Sequence, residues 1–187
     1  MIKLTLTLCL TIVVLLGGGG CTTITSDPSD FQKASEAYDK EDYATALREW
    51  KSLAEQGNAR AQVRLGKMYA YGNGVEQNFQ TAARWFKASA QQGNASAQHE
   101  LGLLYFIGEG VKQDYEKAVG SFTQSAEQGH QDSQSTLAEI YHKGSGVPQN
   151  LKTALMWYKH LSKGSNHSKR SAAYLAEKIK SIEKELK

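Results

Sequence analysis

The sequence predicts an all-α protein, a stack of antiparallel helix pairs, and three observations carry that expectation. The first is internal repetition. Moving the chain by 36 places lays Gly57 on Gly93 and Gly129, Leu65 on Leu101 and Leu137, and Tyr69 on Tyr105 and Tyr141. The same shift lays Gly74-Val75 on Gly110-Val111 and Gly146-Val147. The second is apolar spacing: within each copy the apolar and small residues recur at the intervals of one helix face. The third is punctuation, with glycines where a helix must stop and Asn or Asp where the next begins. A repeat of a few tens of residues marks a row of identical supersecondary units, because one helix pair cannot hide its own apolar face.

In chain order, Met1 to Gly20 differs from the rest. Lys3 gives a positive start, Leu4 to Leu16 is an apolar run of 13 residues, and glycines precede Cys21. The run is short for a membrane span and has the flanks of a secretory signal. The small residues ending at Cys21 resemble a bacterial lipoprotein signal, which implies cleavage before Cys21 and acylation of its thiol and amine. Gly18 sits where such signals carry Leu, so ordinary signal-peptidase cleavage stands as the alternative. Several acyl chains at ~0.8 kcal/mol per buried CH₂ would hold the protein on a membrane permanently. Thr22, being other than Asp, resembles the outer-membrane sorting case, with the folded part facing the periplasm. Residues 21–27 then form a short tether. The other cysteine, Cys9, lies inside the signal, so the mature chain has no internal disulfide.

Asp27-Pro28-Ser29-Asp30 suits a helix start, with proline in the first turn and acids near the positive end of the helix dipole. Residues 28–56 read as one helix pair with Tyr38, Tyr43, Ala46, Trp50 and Leu53 as its apolar marks and no G-x-G-V loop. The pair resembles a tetratricopeptide-type unit at the N-terminal end of the stack. Three repeats follow, 57–92, 93–128 and 129–164. In the first, Ala61, Leu65, Gly66 and Tyr69 mark one helix, and Gly72 and Gly74 end it. Asn78, like Asp114 and Asn150 at the same register, starts a second helix carrying Ala82, Phe86 and Ala90.

The pattern A-x-x-x-L-G-x-x-Y-x-x-G-x-G-V-x-Q-[ND]-x-x-x-A-x-x-[WS]-[FY] resembles the Sel-one-like repeat family, relatives of tetratricopeptide repeats. That resemblance implies a right-handed α-solenoid whose first helices line a concave groove used for protein binding. Unit two departs from the pattern with Ser121, where its neighbours have Trp85 and Trp157. Unit three departs with Ser133 and Ala138. Cysteine-rich members of the family, for which β-lactam binding has been proposed, pair a cysteine in each unit; this chain lacks those cysteines.

Residues 165–187 read as a further amphipathic helix with Leu175, Ile179, Ile182 and Leu186 on one stripe. A polar-backed cap on the stack is one reading. The other is contact with anionic head groups, since residues 163–187 hold seven Lys or Arg against three Glu.

The composition excludes more than it suggests. A formal charge of +3 over 187 residues gives no case for nucleic acid. His99, His130, His142, His160 and His167 are scattered without zinc-ligand spacing, and no nucleophile elbow or phosphate loop occurs. No enzyme, cofactor, metal or small-molecule substrate is expected. One stripe breaks the repeat's own rules: Leu103, Phe106 and Ile107 stand where unit one has Lys67, Ala70 and Tyr71, and unit three has Glu139, His142 and Lys143. By analogy to tetratricopeptide repeats these positions face the groove. Lys67, Tyr71, His99, Leu103, Phe106, Ile107, Glu139 and His142 are therefore candidate partner-binding residues. Against this stands packing of the stripe on an adjacent helix. Two functions fit the groove: an envelope interaction scaffold, or an immunity protein that neutralises an antibacterial, lipase-type effector in the periplasm.

Overall fold

A computed structural model describes residues 28–164 and 169–187; the expected signal segment, Cys21 and the tether lie outside the described residues. Among the described residues all regular structure is helical. The N-terminal pair is α1 (Pro28–Asp39) and α2 (Tyr43–Glu55). Unit one is α3 (Ala59–Tyr71) and α4 (Phe79–Gln91), and unit two is α5 (Ala95–Ile107) and α6 (Tyr115–Glu127). Unit three is α7 (Gln131–Lys143) and α8 (Leu151–Ser162), followed by α9 (Lys169–Glu185). Each helix packs on the one before it and the one after it, which makes the chain an α-solenoid of stacked antiparallel pairs.

Local chemistry fixes the helix boundaries. Asn78, Asp114 and Asn150 accept bonds from the backbone N–H of Thr81, Lys117 and Thr153 at 2.8, 3.0 and 3.0 Å. Asn58 and Asn94 do the same for α3 and α5 through Ala61 and Ala97, both at 3.0 Å. Such a cap contributes about 1 kcal/mol. At the other end Gly72, Gly108 and Gly144 adopt φ of +73°, +87° and +70° and return their N–H to Met68, Leu104 and Ile140. The side chains of Gln77, Gln113 and Gln149 then donate to the carbonyls of Ala70, Phe106 and His142 at 2.8, 2.9 and 2.7 Å. Those carbonyls have no partner within the helix, so this glutamine is part of the repeat for a physical reason.

The second loop glycine makes a stack contact as well as a turn. Gly74, Gly110 and Gly146 press on Tyr43, Phe79 and Tyr115, in each case the first residue of the preceding unit's second helix. A Cβ on Gly110 would run into the Phe79 backbone. Within a unit, the rings of Phe86 and Phe122 rest where a side chain on Gly66 or Gly102 would stand, 2.6 and 2.7 Å from an added Cβ. Buried polar groups tie the rest. Ser89 and Ser125 donate to the carbonyls of Ala59 and Ala95 at 2.8 and 2.7 Å. Gln62 and Gln134 reach back to Ala54 and Ala126 of the preceding pair at 3.1 and 3.0 Å. Each of these four donors thereby finds a backbone acceptor.

At the C-terminal end α9 lies on α8. Leu175 and Ile182 are buried in the unit-three cluster with Phe122, Leu137, Trp157 and Tyr158, and Ile179 packs against it. Leu186, the last residue of the stripe, stays exposed. Lys159 and Glu183 bridge the two helices at 2.6 Å.

Candidate interaction surface

The first helices of the units, α3, α5 and α7, share one accessible face along the stack, and side chains tie it lengthwise. Lys67 Nζ on α3 lies 2.7 Å from Glu100 Oε1 on α5. His99 Nδ1 on α5 lies 2.9 Å from Ser133 Oγ on α7. Glu139 on α7 accepts from the Tyr174 hydroxyl of α9 at 3.2 Å. Because α9 reaches α7 in this way, it takes the place of a fourth unit's first helix.

The face changes character from one end to the other. Toward the N-terminus it is basic. Arg60 lies 4.3 Å over the Phe31 ring and Arg64 lies 5.9 Å from Trp50. With Lys67 they border a small recess that also takes in Val63 and Ser96. In the middle it is apolar: Tyr71 and Ile107 occupy the same register one unit apart, 61% and 57% exposed. Toward the C-terminus it is a charged network. Glu139 takes Lys143 at 2.7 Å and the Tyr158 hydroxyl at 2.5 Å.

The expected stripe is divided. Leu103 and Phe106 are half-buried and pack against the unit-three cluster, with Phe106 edge-on to Tyr115 at 5.3 Å between centroids. Only Ile107 of the three stands free of it, and it pairs in register with Tyr71. Leu103 and Phe106 pack on a cluster drawn from α6, α7, α8 and α9, contacts that a helical wheel of α5 alone does not contain. His99 is half-buried, stacks on His130 at 4.9 Å and faces Phe122 at 5.6 Å. His142 sits edge-on to Tyr158 at 6.1 Å, its Nδ1 buried without a partner among the described residues. Sequence reasoning missed Arg60 and Arg64. Their signal was present, since units two and three carry Ser96, Glu100, Asp132 and Thr136 at those registers.

Burial lowers the His99 pKa, and the nearby His130 lowers it further, against smaller opposing pulls from Glu100 and Asp132. Burial alone would raise Glu139, yet hydrogen bonds from Lys143 and Tyr158 and the charges of Lys143 and Lys178 hold it down to about 2. Lys143 is raised by the same bond, and Tyr158 is raised by burial and by the carboxylate it donates to. Ser133 beside His99 has the chemistry of an activated hydroxyl. It is fully buried and bonded to Ser125 at 2.8 Å, so no substrate reaches it. Among the described residues no group of three or more His, Cys, Asp or Glu is placed to hold a metal, and no helix is long and apolar enough to cross a membrane.

The Sel1 repeat profile matches residues 59–94, 95–130 and 131–160, more than half of the chain. The fold is similar to a Sel1 repeat protein from Oxalobacter formigenes at 32% identity and TM-score 0.69, over 78% of this chain and 59% of that one. It is also similar to c5321, a protective antigen of uropathogenic Escherichia coli with an SLR fold. There the identity is 29% and the TM-score 0.68, over 82% of this chain and 38% of that one. The chain therefore spans little more than half the length of the first and well under half of the second. The immunity protein Pa5087 of Pseudomonas aeruginosa aligns at 24% identity and TM-score 0.43 over 72% of this chain and 44% of that one, which carries no argument about function. None of the functionally curated proteins matches significantly. With three consecutive matched units on a solenoid shared with a Sel1 repeat protein, this chain belongs to the Sel1 repeat family.

Proposed function

We propose that the chain is a non-enzymatic scaffold that binds a partner protein on the accessible face of α3, α5 and α7, held at the envelope membrane by a lipidated Cys21. The observation that carries the proposal is the exposed pair Tyr71 and Ile107, beside half-buried Leu103 and Phe106 and bordered by the charged Lys67, Glu100, Glu139 and Lys143. An apolar centre with a charged rim is the usual anatomy of a docking site, and Sel1 repeats suggest protein partners.

A photo-crosslinking residue placed at Tyr71 or Ile107 should capture a discrete protein in intact envelopes, while one placed at exposed Gln80 on α4 should not. Identical capture from all three positions would sink the proposal. A captured effector, with sensitivity to that effector on loss of this chain, would make the protein an inhibitor; captured envelope machinery would make it an assembly scaffold. Radiolabelled palmitate should appear on the wild type and vanish with Cys21→Ser.

A further inference from the structure

Unit two departs from its neighbours beneath its second helix. Where α4 and α8 carry Trp85 and Trp157, α6 carries Ser121, and Gly120 beside it stands in the place of Arg84 and Met156. The two tryptophans have equivalent surroundings. Trp85 packs against the cluster of Ala54, Leu65 and Tyr69, and Trp157 is buried with Ala126, Leu137 and Tyr141. The corresponding residues of unit two are Ala90, Leu101 and Tyr105. With no tryptophan over them, they line an open pocket of about 600 Å³ between α4, α5 and α6. The missing cover shows on the central leucine: Leu101 is 8% exposed, against 1% for Leu65 and 0% for Leu137.

The rim changes charge in the same unit. Lys117 stands where the neighbours have Thr81 and Thr153, and Gln91 where they have Glu55 and Glu127. Lys87 completes the rim. Lys117 pairs with Asp114 at 2.7 Å but remains largely exposed, its ammonium 5.7 Å from the Tyr105 ring. Relative to both neighbours the rim has lost the acid of Glu55 and Glu127; relative to unit one it exchanges the cation Arg84 for Lys117, and Lys117 pairs with Asp114 where the neighbours have Asn78 and Asn150.

We propose that this pocket docks an aromatic side chain of a partner polypeptide, tryptophan above all, presented beside a carboxylate. The molecule itself specifies the occupant, because at the two equivalent registers a tryptophan packs in one cluster with the matching Ala, Leu and Tyr. Its volume lies in the range of specific binding pockets, and a large ring supplies the apolar area that Leu101 and Tyr105 lack. The lysines select the neighbouring charge. The site shares no residue with the face of α3, α5 and α7. It rests on the reading of the chain as a polypeptide-binding scaffold and gives that scaffold a second contact point.

The test uses the full chain with N-acetyl-tryptophan, its uncharged amide, and a short glycine-serine peptide carrying one Asp-Trp pair, read by amide chemical shifts and calorimetry. Saturable shifts are expected at Gln98, Leu101, Tyr105, Gly120 and Ser121, with the acid binding several-fold tighter than the amide and the peptide competing with it. Ser121→Trp, which supplies the missing ring internally, should abolish binding and raise the melting temperature. Should that variant misfold, Gly120→Met decides, since a Cβ at Gly120 meets nothing within 4 Å, and it should weaken binding at least about tenfold. Lys117→Thr should erase the preference for the acid while leaving the amide unaffected. No saturable shift up to about 10 mM overturns the proposal, as does binding that survives both pocket-filling variants or a peptide that fails to compete. Equal affinity for acid and amide overturns its carboxylate part. Tyr71→Ser with Ile107→Ser should leave N-acetyl-tryptophan binding intact, so failure of this pocket and failure of the α3–α5–α7 face are separate results.

Discussion

Units one and two and unit three with α9 solve the same packing problem with different chemistry. In the first two, a buried serine donates to a backbone carbonyl, and Gln92 and Gln128 donate to Gln62 and Gln98 at 2.9 and 2.7 Å. A phenyl ring sits on a glycine beneath them. In unit three the serine has become Leu161, the glutamine Gly164, the glycine Ala138 and the phenylalanine Tyr158. What those polar links supplied is replaced by apolar burial under α9 and by the Glu139 network. The contrast teaches that the repeat constrains shape and leaves the chemistry of the seam free. It also teaches that the C-terminal seam borrows its stability from a helix outside the repeat.

The largest test of that contrast is truncation after Gly164. Removing α9 uncovers Leu161 and deletes buried Leu175 and Ile182, a loss of roughly 3–6 kcal/mol at about 1.5–3 kcal/mol for each such residue. Hydrogen exchange should quicken in α7 and α8 and stay slow in α3 and α4, as expected of a quasi-linear stack. Uniform loss of protection along the chain would show that the two regions are not independent.

A matched pair of substitutions sharpens the contrast. Gly102→Ala places a methyl 2.7 Å from the Phe122 ring and should cost about 1–3 kcal/mol in urea denaturation. Ala138→Gly, the reverse change in unit three, removes a buried methyl and helix propensity, for a loss of about 1–2 kcal/mol. A stabilising result for either would mean that the two seams share one geometry after all.

The fold was legible because its signals are local and thrice repeated. Leu65, Gly72 and Asn78 each announce a burial, a stop or a cap without reference to distant residues. The surface was legible only in part, because exposure on a solenoid depends on the neighbour. Phe106 has the spacing of a free stripe, yet Tyr115 of α6 and the cluster beyond it cover it; Ile107, one residue on, escapes. Gln77 recurs in every unit, but its bond to the Ala70 carbonyl spans a loop whose path the spacing does not give. The Ser121 departure is visible in sequence, whereas the hollow beneath it requires Ala90 and Leu101 from two other helices.

The smallest effects come from titration, and they separate the two seams by pH. Glu139 titrates at about 2 in the folded chain against 4.5 for the free carboxyl, so the unfolded chain takes up the proton first. Its contribution is complete above about pH 4.5 and is lost as the pH falls toward 2. His99 lies at the seam of units two and three with its pKa lowered from 6.5, so again the unfolded chain is protonated first. Its contribution is complete above about pH 6.5 and erodes below it, a higher window than that of Glu139. The charged and titratable groups facing His99 are His130, Glu100, Asp132 and Lys67. Melting temperatures of Glu139→Gln should therefore lose only the acid-side slope, and those of His99→Asn only the slope beginning near neutrality. Both changes should be small beside the truncation, because Glu139 and His99 are each only partly buried and remain screened by solvent. If both variants flattened the same window, the network around Glu139 would extend through α7 to the Ser133 end, and the charged seam would be one unit with the histidine pair.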